Sequence, residues 1–300
     1  MSHARRVLPG TTYLITRRCS ERRFFLRPEP LVGQVFRYVL AYAAAALGVE
    51  VHAVIVLSNH FHAVITDPDQ RLSAFMGQLD GLVARCLNAA RHRGEAFWSS
   101  GTFSAVALLG EESVWEKLVY VHCNAVKAGL VRDPLDWPGF RTTPEDMLGN
   151  RVSARRPGVF FRESMPEKTE LNLTVPPALA HLESKQVLAE LKERVDAEVT
   201  KIREARRKAK LGWLGRRGVL AQQVDQSPGG TFPSRRTNPH ISCRTPGRFR
   251  REKEKLIAWR QAYREAREAW IRGVRDVVFP AGTYLLRTVF GVRCEAVPDG

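Results

Sequence analysis

Residues 49–66 read Val-Glu-Val-His-Ala-Val-Ile-Val-Leu-Ser-Asn-His-Phe-His-Ala-Val-Ile-Thr, and this stretch decides the fold. Two runs of aliphatic and β-branched residues flank the polar pair Ser58-Asn59, a pattern typical of two antiparallel strands joined by a two-residue turn. The sequence therefore predicts a β-hairpin with strands over residues 49–57 and 60–66. Side chains two positions apart on a strand point to the same face, so we expect His60 and His62 to project side by side.

The segments around this hairpin supply the other elements of an α+β fold. Strands are predicted over residues 12–16 and 103–109, and helices over residues 31–47, 72–91 and 113–129. Gly48 is a good helix-terminating residue, and Ser113 with Glu116 has the spacing of a capping box at the start of the third helix. The order strand, helix, strand, strand, helix, strand, helix predicts a ferredoxin-like βαββαβ sandwich with an extra C-terminal helix.

The chain changes character after about Gly149. We expect a catalytic domain over residues 1–149, a basic helical extension with a linker over residues 150–245, and a helical and strand segment over residues 246–300. Charged helices are predicted over residues 185–210 and 249–272. The aromatic residues along one side of the second charged helix are expected to pack against the catalytic domain; they are Trp259, Tyr263 and Trp270.

Composition points to a nucleic-acid partner. The 300 residues carry a net charge of +16, which suits a polyanion, and 44% of them are hydrophobic, which is enough for a real core. The five cysteines are far apart and form no C-x-x-C pair, so they favour a reduced compartment over a disulfide framework or a zinc knuckle. No secretory signal is visible, and the apolar stretch over residues 35–49 is too short to span a bilayer. We therefore expect a cytoplasmic, nucleoid-associated protein with no membrane partner.

A second group of polar residues lies in the helix predicted over residues 113–129. Tyr120, Asn124 and Lys127 are four and three positions apart, so they share one helix face. The Asn124 amide oxygen can bind a hard cation, and with His60 and His62 it would give a site of two nitrogens and one oxygen. Such a mixed site suits Mg²⁺ or Mn²⁺ better than a closed zinc site, and it leaves positions for phosphate oxygens or water.

Tyr120 is the natural nucleophile of this group. A free phenol, with a pKa of about 10, is a weak nucleophile, and a metal that polarises a scissile phosphate would offset that weakness. Attack would leave a phosphotyrosine and a free hydroxyl, so strands could be rejoined without ATP. The sequence has no G-x-x-x-x-G-K-[ST] loop, which agrees with the expectation of no nucleotide cofactor.

These residues resemble the HUH single-tyrosine transposases of insertion-sequence type. Residues 58–62 resemble the HUH motif (His, hydrophobic, His), and residues 120–131 resemble the family's Tyr-x-x-x-Asn-Pro-Val-x-x-Gly-Leu-Val segment. The order and spacing are closest to the REP-associated branch, over about residues 4–145. One departure is Ala125, which stands where the family has proline; because proline would remove a backbone donor, alanine favours a helix that runs on. Weaker landmarks match at Arg5-Arg6, residues 9–13, Phe97-Trp98 and residues 136–138.

The resemblance implies cleavage and joining of single-stranded DNA through a 5′-phosphotyrosine intermediate, with a divalent metal and usually a homodimer. Carried to this sequence, it makes Tyr120 the nucleophile and His60, His62 and Asn124 the metal ligands. Lys127, Arg17 and Arg18 are further candidates for contacts with single-stranded or hairpin DNA.

Two other functions stay open at this point. One is a domesticated protein that binds DNA hairpins without transposition activity. The other is a replication or relaxase nuclease with the same HUH chemistry, although residues 150–300 show no nucleotide-binding motif for an added helicase. Among the remaining candidates, His52 and His122 are expected to be structural, and Trp98 is as consistent with a core role as with stacking on a base.

Overall fold

The computed structural model describes residues 4–101, 103–149, 151–229 and 239–297. Its strands are β1 (Thr11–Arg18), β2 (Glu50–Leu57), β3 (His60–Asp67), β4 (Ser104–Leu109), β5 (Arg151–Arg155), β6 (Lys168–Asn172) and β7 (Ile241–Cys243). Its α-helices are α1 (Pro30–Leu47), α2 (Leu72–Ala90), α3 (Glu111–His122), α4 (Asn124–Lys127), α5 (Ser184–Lys208), α6 (Gly215–Leu220), α7 (Pro246–Ile271) and α8 (Leu285–Phe290).

The central sheet has the strand order β2-β3-β1-β4-β7. Its first four strands pair antiparallel, in the order of a ferredoxin-like sandwich, so the predicted α+β fold class is confirmed. Strand β7 extends the edge by pairing parallel with β4, and the sequence did not predict it. In the β1–β3 register, Thr16 lies opposite His62 and Arg18 lies opposite His60.

Helices cover both faces of the sheet. Helices α1 and α2 pack on the face that receives Phe61, Ala63 and Ile65 of β3, where they form the larger hydrophobic core. Helix α3 and the later helix α5 cover the opposite face, where Val64 of β3 packs against them. Because side chains alternate along β3, His60 and His62 lie on the α3 side of the sheet.

Helix α1 is a core helix that ends where the sequence predicts. Gly48 follows it with φ 66°, and its N–H donates to the carbonyl of Ala44, which is a left-handed glycine terminus. Helix α1 begins earlier than the apolar stretch over residues 35–49, and at 18 residues it could cross a bilayer by length and composition. In the structure Val35 and Phe36 are buried against the sheet and α2, and a buried core helix passes the same test.

The helix that carries Tyr120 differs from the prediction at both ends. It begins at Glu111, after Gly110, and Ser113 lies buried inside the first turn, so the predicted capping box was wrong. It ends at His122, and Cys123 separates it from the single turn of α4. A continuous helix to Gly129 was therefore also wrong, although alanine replaces the family's proline at position 125.

Strands β5 and β6 and helix α5 pack on the βαββαβ core. Strands β5 and β6 form a hairpin on α1, where the Tyr38 hydroxyl donates to the Pro166 carbonyl at 2.6 Å. Helix α5 buries a stripe of valine and leucine against the α3 side of the sheet; the stripe is Val187, Leu191, Val195 and Val199. The division at Gly149 stays a prediction from sequence character, and the predicted linker includes residues 230–238, which lie outside the described residues.

The aromatic stripe of α7 packs on the C-terminal tail. The Trp259 indole donates to the Ala281 carbonyl at 2.7 Å, and Tyr263 packs edge-on against Phe279. Trp270 packs in the same way against Phe290. The expectation that this stripe covers the catalytic domain was therefore wrong.

Candidate active site

His60 and His62 project side by side from β3 toward α3, as the alternation of the strand predicts. Their ring centroids are 4.9 Å apart and the rings are nearly perpendicular. Only 5% of the His62 surface is exposed, and His60 is half-buried. The pair therefore lies at the edge of the core: the His62 imidazole is buried in the interior, and the His60 imidazole borders a cleft.

Tyr120 meets this pair from the facing helix. Its hydroxyl lies 3.3 Å from Nε2 of His62, and the two rings pack edge to face with centroids 5.1 Å apart. The Lys127 ammonium lies 5.6 Å from the centre of the Tyr120 ring. The break at Cys123 therefore leaves the predicted phenol, imidazoles and ammonium together.

Asn59 fixes the tautomer of His60. The Asn59 amide nitrogen donates to the Arg22 carbonyl at 3.1 Å, which turns its oxygen toward His60, 2.6 Å from Nδ1. An amide oxygen can only accept a hydrogen bond, so the neutral His60 ring carries its proton on Nδ1 and its lone pair on Nε2. This is the form in which histidine binds metal through Nε2, with Nδ1–H held by an oxygen.

Thr16 contacts the corresponding ring nitrogen of His62. The Thr16 hydroxyl lies 2.7 Å from Nδ1 of His62, so Nε2 faces the Tyr120 hydroxyl. Burial lowers the pKa of His60 to about 4, with Arg18 and Arg22 adding to the effect. Burial and the neighbouring His60 lower the pKa of His62 well below its usual value. Both rings are therefore neutral at pH 7, which is the protonation state that a metal ligand needs.

Asn124 occupies the first position of α4 and is buried, with 6% of its surface exposed. Its side chain forms no hydrogen bond to any residue in the described part of the chain, so its amide oxygen is available to a ligand. No group of three or more His, Cys, Asp or Glu that could hold a metal occurs among the described residues. The predicted donor set, the histidine pair with the Asn124 amide oxygen, has the chemistry that suits Mg²⁺ or Mn²⁺.

The two candidate arginines of β1 point to opposite faces of the sheet. Arg17 turns toward α2, where its Nε lies 3.1 Å from Asp80 and its guanidinium lies over the Trp98 ring. Arg18 is exposed on the His60 side. The structure therefore brings Arg18 to the candidate site and places Arg17 away from it.

His52 and His122, expected to be structural, are buried, and so is Trp98, for which a core role and base stacking were both open. The ring nitrogens of His52 bond to the Thr174 carbonyl and to the Thr66 hydroxyl, both at 2.8 Å. Trp98 lies in the core and donates to the Asp80 carbonyl at 2.8 Å, so the structure gives it a core role. His122 is buried on α3, facing away from Tyr120 toward the Arg141 side of the helix.

Sequence reasoning missed two residues that orient the histidines. Asn59 precedes His60 directly, and its amide in the turn was a signal that could have been used. Thr16 lies 46 positions from His62, and only the pairing of β1 with β3 makes it a neighbour.

Comparisons with known proteins bear on residues 9–122. That segment matches the family described as "Transposase IS200 like". Among solved structures, a REP-associated tyrosine transposase bound to a REP hairpin is 24% identical and aligns with a TM-score of 0.42 over 49% of this chain and 86% of its own. A candidate transposase from Deinococcus radiodurans R1 is 20% identical, with a TM-score of 0.29 over 37% of this chain and 87% of its own. No curated protein matches the chain.

The family match includes the histidine pair and extends through Tyr120 to His122, so it contains three of the four residues that the geometry gathers. Residues 9–122 of this chain are thus similar to the IS200-like transposases.

Proposed function

We propose that this protein cleaves and rejoins single-stranded DNA, with Tyr120 as the nucleophile. The observation that supports the proposal most strongly is the 3.3 Å separation between the Tyr120 hydroxyl and Nε2 of His62 within one chain. The phenol on the helix and the two neutral imidazoles on the strand therefore lie close together. A phosphodiester bound between them would contact the phenol and the imidazoles at the same time.

The reaction is an exchange of one phosphodiester for another. The Tyr120 oxygen bonds to phosphorus and its proton leaves to solvent, while the bond from phosphorus to the 3′ oxygen breaks and that oxygen takes up a proton. The products are a 5′-phosphotyrosine and a free 3′ hydroxyl. The reverse attack by a 3′ hydroxyl rejoins the strand and releases Tyr120, so no nucleotide cofactor is consumed.

His60, His62 and Asn124 would hold the divalent metal, Mg²⁺ or Mn²⁺. Asn59 and Thr16 engage the two Nδ1 atoms, and the Nδ1-protonated form of each ring would present its Nε2 lone pair to the metal. A cation bound there would polarise the phosphate and neutralise charge that develops on it. The Lys127 ammonium beside the Tyr120 ring adds positive charge, which favours the approach of phosphate.

The proposed substrate is single-stranded or hairpin DNA, processed in the cytoplasm at the nucleoid. A net charge of +16 supports a polyanionic partner. We retain a homodimer as part of the proposal on the strength of the resemblance. The Tyr120–His62 contact lies within one chain, so each copy would carry its own nucleophile beside its own histidine pair.

Covalent capture of DNA tests this function. The full chain is mixed with Mg²⁺ or Mn²⁺ and a labelled single strand that contains a hairpin from the DNA flanking the gene, and protein-linked label is resolved on a denaturing gel. We expect wild-type protein and the control Tyr42→Phe, altered on α1, to form the adduct. Tyr120→Phe should bind the strand without attaching to it, and EDTA should abolish attachment. An undiminished adduct in Tyr120→Phe would reject this nucleophile, and specific binding without any adduct under either metal would favour the hairpin-binding alternative.

A further inference from the structure

The segment after α5 crosses the molecule from the tyrosine helix to the histidine hairpin. We call residues 209–228 the strap. At one end the N–H groups of Leu214 and Gly215 donate to the carbonyls of Gly129 and Leu130, at 3.0 and 2.9 Å. These carbonyls directly follow α4, so the strap is fixed to the turn that carries Asn124 and Lys127.

The other end of the strap is fixed beside His60. The Ser58 hydroxyl donates to Oε1 of Gln222 at 2.5 Å, and the Arg27 guanidinium donates to the Gln222 carbonyl. The N–H of Phe24 donates to the Gln226 carbonyl at 2.9 Å. The strap therefore bridges the segment after α4 and the histidine hairpin, and it lies outside the segment that matches the transposase family.

A cleft of about 470 Å³ opens between the strap and the hairpin turn. This volume falls in the range of small-ligand sites, about 300–1,000 Å³. The residues that line it are Arg18, Arg22, Phe24, Leu57, Ser58, Asn59, His60, Ala128, Leu130, Leu214, Gln222 and Pro228. His60 is thus shared between this cleft and the candidate metal site.

The lining combines an apolar wall with two cations. Phe24, Leu130 and Leu214 supply apolar surface, while Arg18 and Arg22 supply positive charge, and the described residues that line the cleft include no aspartate or glutamate. No carboxylate lies within 4.0 Å of the Arg18 guanidinium in the part of the chain that the structure describes. A flat apolar group attached to a phosphate fits such a lining, because the arginines attract the phosphate and the wall contacts the ring.

The groove on the other side of Tyr120 has a different character. Glu112, Glu116 and Glu198 line it, and its arginines are paired with these carboxylates. Arg194 lies 3.0 Å from Glu112, and Arg244 lies 2.9 Å from Glu116. Because Lys127 and Lys201 also line this groove, it mixes cations with carboxylates, whereas the charged residues in the described lining of the cleft at His60 are the two arginines.

From these contacts we propose that the cleft is a nucleobase subsite, which takes one unpaired base of the strand next to the phosphate at the histidine pair. The strap builds one wall of it, and Leu214 is the strap residue that contacts the base. The inference rests on the proposed function, since it takes single-stranded DNA as the ligand. It adds a structural source of base selectivity that residues 9–122 do not contain by themselves.

The test compares two oligonucleotides of equal charge. Fluorescently labelled (dT)12 and a twelve-residue abasic strand are titrated with full-length protein in a Tyr120→Phe background, so that binding is measured without attachment. We expect Leu214→Ala to weaken (dT)12 binding by about fivefold and to leave the abasic strand unchanged. The matched control is Leu211→Ala, which alters an exposed strap leucine that does not line the cleft, and it should change neither affinity. An unchanged ratio of the two affinities in Leu214→Ala overturns the subsite.

A crosslinking measurement on the Tyr120→Phe chain does not depend on how the leucine variant folds. A (dT)12 strand with 5-iodouracil at single positions is irradiated on the protein, and the modified peptides are identified. Crosslinks at Phe24 or His60 are expected, and crosslinks confined to residues outside the cleft overturn the proposal. If the cleft shows no base selectivity but the wild-type protein still forms the Tyr120 adduct, only the subsite is rejected and the proposed cleavage stands. If binding is base-selective but no adduct forms, the cleavage is rejected and the subsite stands.

Discussion

The Tyr120 hydroxyl lies 3.3 Å from Nε2 of His62, although the two residues are 58 positions apart in the chain. Helix α3 and strand β3 position the two side chains. Thr16 and Asn59 contact Nδ1 of His62 and of His60, respectively. One chain therefore brings together the proposed nucleophile, the two imidazoles and the groups that orient them.

Removing the Asn59 amide should weaken metal binding. In Asn59→Ala the His60 ring loses the acceptor for Nδ1–H, so both the ring orientation and the tautomer that leaves Nε2 free are less populated. Loss of such an outer partner costs about 10–100-fold in metal affinity. Calorimetric titration of the full chain with Mn²⁺ at pH 7 measures the effect. The control is Asn172→Ala, an exposed position on β6, which should bind Mn²⁺ as tightly as wild type. A wild-type affinity for Mn²⁺ in Asn59→Ala would contradict the role of the amide.

The two neighbouring arginines of β1 should separate stability from DNA binding. Arg17→Ala leaves the Asp80 carboxylate without its partner in a mostly buried site, which should cost about 3 kcal/mol of unfolding free energy. Arg18→Ala removes an exposed cation, so it should leave the free energy of unfolding unchanged. It should reduce the slope of log K for single-strand binding against log salt concentration by about one. Urea unfolding and anisotropy titrations across salt concentrations measure the two effects. The reverse pattern would show that Arg17, not Arg18, faces the DNA.

Buried histidines should make stability fall in acid. Burial lowers the pKa of His52 to about 4, whereas in the unfolded chain it is about 6.5. Between those values the unfolded state binds more protons, so the free energy of unfolding decreases as pH falls from about 6.5 to about 4, by up to about 3 kcal/mol for this group. The stabilisation is fully present above pH 6.5. Urea midpoints measured from pH 7 to 4 should therefore decline less steeply in His52→Gln than in wild type, and equal slopes would contradict this assignment.

Glycine at position 129 should be required for the packing of the strap. Gly129 has φ 72°, and an added Cβ would lie 2.6 to 2.7 Å from the Arg206 guanidinium. Gly129→Ala should cost about 1–2 kcal/mol from the backbone alone. Gly77→Ala is the matched control, because Gly77 is an exposed position inside α2 with open space around it, where alanine should stabilise by about 0.5–1 kcal/mol. Thermal unfolding of both variants tests the contrast, and equal shifts in the same direction would refute it.

Local pattern was sufficient for some of these elements and insufficient for others. The alternation of β3 predicts the shared face of His60 and His62, and Gly48 predicts the end of α1, because both follow from the conformation of a few adjacent residues. Strand β7 has three residues and exists only because the β4 edge is open to pair with it. Its short pattern could not predict a partner so distant in the chain.

In the candidate site, too, some residues follow from local sequence pattern and others only from tertiary contacts. Tyr120 and Asn124 could be chosen from spacing and resemblance, whereas Thr16 becomes a partner of His62 only through the β1–β3 register. The break at Cys123 was missed because helix periodicity runs through it unchanged. The strap has no periodic pattern, so its position beside His60 depends on tertiary contacts such as the one between Ser58 and Gln222.

The most direct test of the account is the chemical identity of the covalent product. Wild-type protein is reacted with the hairpin-bearing single strand and Mn²⁺, digested with trypsin and nuclease, and analysed by mass spectrometry. We expect one modified peptide, in which a nucleotide is joined through its 5′ phosphate to the Tyr120 oxygen. We also expect a released strand that ends in a 3′ hydroxyl. A nucleotide joined to any other residue, or a 3′-phosphotyrosine with a free 5′ hydroxyl, would contradict it.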